Sequence, residues 1–132
     1  MIKGKMTKKA LNLVYKSYLN IIDDGVYKVF KLYETASKMS TDEERCVALL
    51  HSIIDDKKIS FNNLQKEFPF EVSEAVRLLS KDDVLAFPDF IRRIKTNQVA
   101  KMVKIALLEE EINTLKENET EKQKFALKIL KD

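Results

Sequence analysis

In 132 residues the chain has one cysteine, one histidine, two glycines and two prolines. Each scarcity excludes something. The lone cysteine, Cys46, rules out an internal disulfide, and the lone histidine, His51, rules out any metal site built within the chain from two imidazoles. Few glycines and prolines leave few turn signals, and the abundance of Leu, Lys, Glu and Ala favours helix over sheet. No uninterrupted apolar run approaches the ~20 residues that span a bilayer, so no membrane partner is expected. No window joins a basic start, an apolar run and a small-residue cleavage site, which predicts a protein of the reducing cytoplasm. Charge is nearly balanced: 24 basic against 21 acidic residues leave +3, so most charges belong on solvated helix faces.

The hydrophobic content, 45% of the chain, is enough for a core, and the length suits a single domain over residues 1–132. Leu11, Val14, Tyr15, Tyr18, Leu19 and Ile22 recur at three- and four-residue spacing, which predicts a helix near residues 7–22, closed by Asp23, Asp24 and Gly25. A second helix follows, with Val26, Val29, Phe30, Tyr33 and either Thr35 or Ala36 toward the core. Thr41 and Glu44 form a Thr-x-x-Glu capping box that opens a third helix running through Ile54. Ser60 caps a short helix carrying Phe61, Leu64 and Phe68, which stops at Pro69, and Val72, Ala75, Val76 and Leu79 continue the pattern. Pro88 suits a first helical position ahead of Phe90, Ile91 and Ile94. Residues 97–116 read as the longest helix. Thr120 and Gln123 read as a second capping box before a last helix that partly buries Phe125, Leu127 and Leu130. The expected fold is therefore all-α, a compact single-domain bundle of about six to eight helices.

The segment Glu44-Arg-Cys-Val-Ala-Leu-Leu-His51-Ser-Ile-Ile-Asp55-Asp56 is the chain's most distinctive. It sets the only histidine at the end of an apolar helix face, where a continuing helix would bring it beside Ile54 and Asp55. Lys3, Lys5, Lys8, Lys9 and Lys16 precede the first acid at Asp23. That pattern fits an ordinary basic helix face better than a nucleic-acid arm.

That segment is followed by Ile59-Ser-Phe-Asn-Asn-Leu64-Gln-Lys-Glu-Phe68, by Val72-Ser-Glu-Ala-Val76-Arg-Leu-Leu-Ser80-Lys81, and by Asp89-Phe-Ile-Arg-Arg-Ile-Lys95-Thr-Asn97-Gln-Val-Ala100-Lys-Met-Val-Lys104-Ile-Ala106-Leu-Leu. Together, in that order, they resemble the HD-domain phosphohydrolases over roughly residues 7–130. Within that superfamily they are similar to the guanosine tetraphosphate pyrophosphohydrolase domains of the RelA/SpoT type and their small stand-alone relatives. The resemblance implies an HD-type helical bundle. In the family a divalent metal, often manganese, is held by an early His, by a His-Asp pair and by a later Asp.

Matched residue by residue, the early His falls at Phe30, the Asp of the pair at Ser52 and the later Asp at Leu107. Only His51 is kept of four ligands, and one imidazole does not hold a divalent ion. Phe30 and Leu107 are expected to meet and fill the former metal pocket. Asp55 and Asp56 match the family's Glu-Asp pair, proposed there to help activate water, and are the catalytic candidates only if activity survives. Glu111 falls at an Asn that contacts nucleotide in the family, where its charge would repel a polyphosphate. The vestigial pocket is thus Phe30, His51, Ser52, Leu107 and Glu111, with no metal and no cofactor expected. The leading expectation is a catalytically inactive HD-fold module with binding or regulatory work, for a protein partner or a nucleotide. The alternative is a residual phosphohydrolase using His51, Asp55 and Asp56 with Mn²⁺. Nucleic-acid contact through the early lysines ranks last.

Overall fold

The computed structural model describes residues 4–132. Its helices are α1 (Lys5–Ser17), α2 (Lys28–Ser37), α3 (Asp42–Leu50), α4 (Phe61–Glu67), α5 (Phe70–Leu79), α6 (Phe87–Lys95), α7 (Gln98–Thr114) and α8 (Glu121–Lys131), with a two-stranded antiparallel ribbon of β1 (Ile22–Asp23) and β2 (Val26–Tyr27) between α1 and α2. The all-α bundle expected from composition is what forms. At its centre lies α3, which packs against α1, α2, α5 and α7, while α8 closes over α6 and α7. Five consecutive α3 residues, Cys46 to Leu50, are fully buried, and a helix that is apolar all round must be surrounded. Nine residues are too few to be helical alone, so α3 takes its stability from its neighbours. Cys46 sits in this core with its Sγ 3.9 Å from the Met6 carbonyl oxygen.

Local chemistry accounts for several helix starts. The Thr41 side chain accepts from the Glu44 N–H at 3.1 Å, and Glu44 Oε1 accepts in return from the N–H groups of Ser40 and Thr41, completing the expected capping box. Ser60 accepts from the Asn63 N–H at 3.2 Å to start α4. Asn97 does the same for α7 through the Ala100 N–H at 3.0 Å, and Pro88 lies in the first turn of α6.

Four expectations are corrected. First, α1 ends at Ser17, and Asp24-Gly25 turns the β1–β2 ribbon instead of closing a helix. Both residues have positive φ, 53° and 79°, the pair of left-handed conformations that a two-residue type I′ hairpin turn requires. Second, α2 buries Leu32 along with Thr35 and Ala36, the last two in line with expectation, but leaves Phe30 and Tyr33 on its outer side, and Val26 lies exposed in β2. Third, α3 stops at Leu50 and the chain continues as turns. Lys57, at φ 58°, then ends the segment in a Schellman arrangement, with Lys57 N–H donating to the Ile54 carbonyl and Lys58 N–H to that of Ile53. Fourth, Thr120 stands at the N-cap position of α8, but its side chain does not cap the helix. Its backbone (φ −105°, ψ 5°) lacks the extended geometry a cap needs, its hydroxyl donates back to the Glu117 carbonyl at 2.8 Å, and Gln123 leaves its Oε1 without a partner. Phe125 is likewise exposed, while Leu130 is buried.

Candidate functional site

Lys28, Lys31, Thr35 and Lys38 recur on α2 at spacings of three and four, so they form one stripe along the helix. Opposite them α7 presents Leu107, Glu110, Glu111 and Thr114 by the same periodicity, and His51, the residue that ends α3, completes the lining between the two helices. The resulting cleft has a volume of about 400 Å³. Its charges are largely spent on one another. Lys31 Nζ pairs with Asp23 at 3.2 Å and Lys38 Nζ with Glu110 at 3.1 Å, while Thr35 Oγ1, buried, lies 2.9 Å from both Glu110 oxygens and donates to that carboxylate. Three lysines line the cleft against four carboxylates, Asp23, Glu34, Glu110 and Glu111, so it is not an anion trap.

His51 is the only imidazole, and its state follows from geometry. Nδ1 lies 2.8 Å from the Ala48 carbonyl oxygen, which can only accept, so Nδ1 carries the proton and Nε2 keeps its lone pair. Burial pulls the imidazole from its usual 6.5 down to about 4, aided by the charges of Lys28 and Lys104 and opposed by the Ala48 bond and by Asp56. A ring held neutral at that value is a weak base near neutrality.

The other expected site residues do not join it. Asp55 turns away to accept the Lys81 backbone N–H, with both carboxylate oxygens at 3.1 Å. Asp56 accepts from the Tyr18 hydroxyl at 2.7 Å, and Ser52 Oγ lies 3.3 Å from the same hydroxyl. His51, Leu107 and Glu111 share the cleft, whereas Ser52 belongs with Tyr18 and Asp56 on the side of α1. Phe30 does not fill a pocket with Leu107. It is 62% exposed, and its ring meets that of Tyr27 edge to face with centroids 5.8 Å apart, because α2 is rotated to bury Leu32 and Ala36 instead.

Among the described residues no group of three or more His, Cys, Asp and Glu side chains converges so as to hold a metal ion. The two carboxylates nearest His51 in sequence point to different partners, and the donor set does not fit a divalent ion. Of the early lysines, Lys3 lies outside the described residues. Lys9 is paired with Glu67 at 3.2 Å, and Lys5, Lys8 and Lys16 stand exposed on α1. Among the described residues no helix is long and apolar enough to cross a membrane.

Two contributors were not singled out beforehand. Tyr18 belongs to the buried stripe Ala10, Val14, Tyr18, and a tyrosine in such a stripe needs a partner for its hydroxyl, which was the available signal. The lysine stripe of α2 was readable from spacing alone. These features define an all-α helical bundle with a mixed-charge cleft between two of its helices. The chain matches no protein-family model and no curated protein.

Proposed function

We propose that this chain is a catalytically inactive helical module of the HD type, one that works by binding and not by hydrolysis. One observation carries the reading: Asp55 and Asp56, the carboxylates that the resemblance assigns to water activation, are committed to the Lys81 backbone and to the Tyr18 hydroxyl. Both bonds are structural. A water-activating site needs a base near its working pH and acids converging on the reacting atoms, and His51 offers a weak base with its acids turned outward.

The balance of cleft charges bears on what is bound. A polyphosphate would enter a cleft whose four carboxylates outnumber its three lysines, two of them already paired, and it would meet repulsion. A protein segment suits that surface better than a nucleotide does.

The test is turnover and binding measured together. Guanosine tetraphosphate and a panel of simple nucleotides, incubated with the protein and Mn²⁺, should yield no product above a no-protein control. Titration calorimetry should find no nucleotide binding tighter than about 100 µM, roughly −5.5 kcal/mol. Manganese-dependent turnover that disappears in the Asp55→Asn, Asp56→Asn double variant would overturn the reading in favour of a residual phosphohydrolase.

A further inference from the structure

A second cavity lies where α6, α7 and α8 meet. Its volume is about 380 Å³, inside the roughly 300–1,000 Å³ range of small-molecule sites, and Phe87, Leu108 and Leu115 give it an apolar wall. Lys104 of α7 and Lys122 of α8 line it, and its one lining carboxylate is Glu111, which also borders the cleft between α2 and α7. In that cleft carboxylates outnumber lysines. Here the excess is positive, two ammoniums against one carboxylate.

Both ammoniums lack a counter-ion. Among the described residues neither Lys104 nor Lys122 belongs to an ion pair. Each meets an aromatic face instead: Lys104 Nζ lies 6.0 Å from the centroid of the Phe90 ring, and Lys122 Nζ 4.4 Å from that of Phe87. A ring face offsets part of the cost of a cation held away from water, and an anion offsets more. Lys104 feels that cost most, because its neighbours cover most of it. Burial pulls its ammonium below the usual lysine range, with Glu111 opposing and Lys122 adding to the effect. A second polar group is idle at the same place. Gln123 lines the cavity, and its Oε1 is enclosed without a donor, so no hydrogen bond of that oxygen keeps the amide from turning toward a ligand.

We propose that this cavity binds a small amphiphilic anion, a carboxylate or phosphate group joined to a short apolar body, with the charged group between Lys104 and Lys122 and the body against Phe87, Leu108 and Leu115. The anion supplies the counter-charge that Lys104 lacks, and the apolar wall selects against a bare inorganic ion. The inference is independent of whether the cleft between α2 and α7 is catalytic.

Titration calorimetry of the intact chain at low salt, where screening is least, tests this with benzoate, phenylphosphonate and inorganic phosphate as probes. At least one of the two aryl anions should bind one-to-one with Kd below about 2 mM, and the tighter of the two identifies the charged group. Inorganic phosphate should bind at least ~5-fold more weakly, since it leaves the apolar wall empty. Lys104→Met keeps the aliphatic stem and removes the charge, and should weaken the aryl anion at least ~10-fold with helical circular dichroism unchanged. Glu111→Gln, at an exposed position, lifts the one repulsive charge and should tighten binding by about 3-fold, a gain that does not depend on how Lys104→Met folds. Lys16→Met, exposed on α1, should bind as the parent does. Failure of both aryl anions to bind at concentrations up to about 10 mM, well above that Kd, would overturn the proposal. So would inorganic phosphate binding as tightly as they do, a folded Lys104→Met chain that binds like the parent, equal weakening by Lys16→Met, or weaker binding in Glu111→Gln.

Discussion

Lowering the pH from neutrality should destabilise this protein through its single imidazole, His51. The imidazole is held at about 4 in the folded chain against 6.5 when solvated, chiefly because the ring is buried. Between those values the unfolded chain binds a proton that the folded chain refuses, so acidification favours unfolding. The stabilisation is fully present above 6.5 and is lost as pH falls toward 4. At about 1.4 kcal/mol per pKa unit, moving from about pH 7.5 to about pH 5 should cost about 2 kcal/mol. Glu74, held low by its hydrogen bond from Arg77, and Asp82, held low by the Val84 N–H, lose their contributions only at lower pH. Urea unfolding followed by circular dichroism at the two pH values measures the loss directly. His51→Gln keeps an amide donor for the Ala48 carbonyl but cannot titrate, so its stability should change little over the same interval. Because the chain has one histidine, its Cε1–H resonance is a single unambiguous signal. A ring titrating near 6.5, or a His51→Gln variant that loses stability in parallel with the parent, would refute the reasoning.

Three further perturbations follow from named contacts. Tyr18→Phe removes the donor to Asp56 and should cost about 1.5 kcal/mol, the low end for a charge-assisted bond because the carboxylate is exposed and can rehydrate; a double-mutant cycle with Asp56→Ala, which removes the acceptor, should recover most of that as coupling. Thr41→Ala deletes one half of the capping box of α3 and should lower stability by about 1 kcal/mol in the same urea assay. Lys57→Gly should raise stability by about 0.5 kcal/mol, because relief of a left-handed non-glycine backbone, about 1–2 kcal/mol, exceeds the extra entropy glycine brings to the unfolded chain; a loss would mean that the Lys57 side chain contributes something its backbone conformation does not reveal.

Where the chain announced its structure, it did so through side chains that act on their own backbone within three residues. Thr41, Ser60 and Asn97 cap helices because the donor and acceptor are set by local geometry. Thr120 has the same sequence signature and fails, because the preceding 3₁₀ turn, Glu117–Glu119, takes its hydroxyl and fixes its backbone. The rotation of α2 was beyond local reading. Phe30 and Tyr33 satisfy helical spacing as well as Leu32 and Ala36 do, and only the position of α3 decides which pair is buried. Asp24-Gly25 was legible in principle, since Asp-Gly between apolar residues favours a type I′ turn over a helix end. At the site, His51, Leu107 and Glu111 line one cleft, a grouping that only the family resemblance, and no local pattern, had implied. The pull of Tyr18 and Lys81 on the two aspartates was not foreseeable, because each bond spans more than 25 residues.

The buried thiol of Cys46 gives the molecule a built-in clock. It is the sole cysteine, wholly enclosed among residues of the central helix, and burial also disfavours its reactive thiolate. A thiol-specific reagent therefore has no route to it except through separation of α3 from its neighbours. The labelling rate of the unmodified protein then counts openings of the core, one exponential for one sulfur, limited by opening itself at high reagent and by the open fraction at low reagent. No probe needs to be engineered, and every variant above can be timed against the parent by the same reaction.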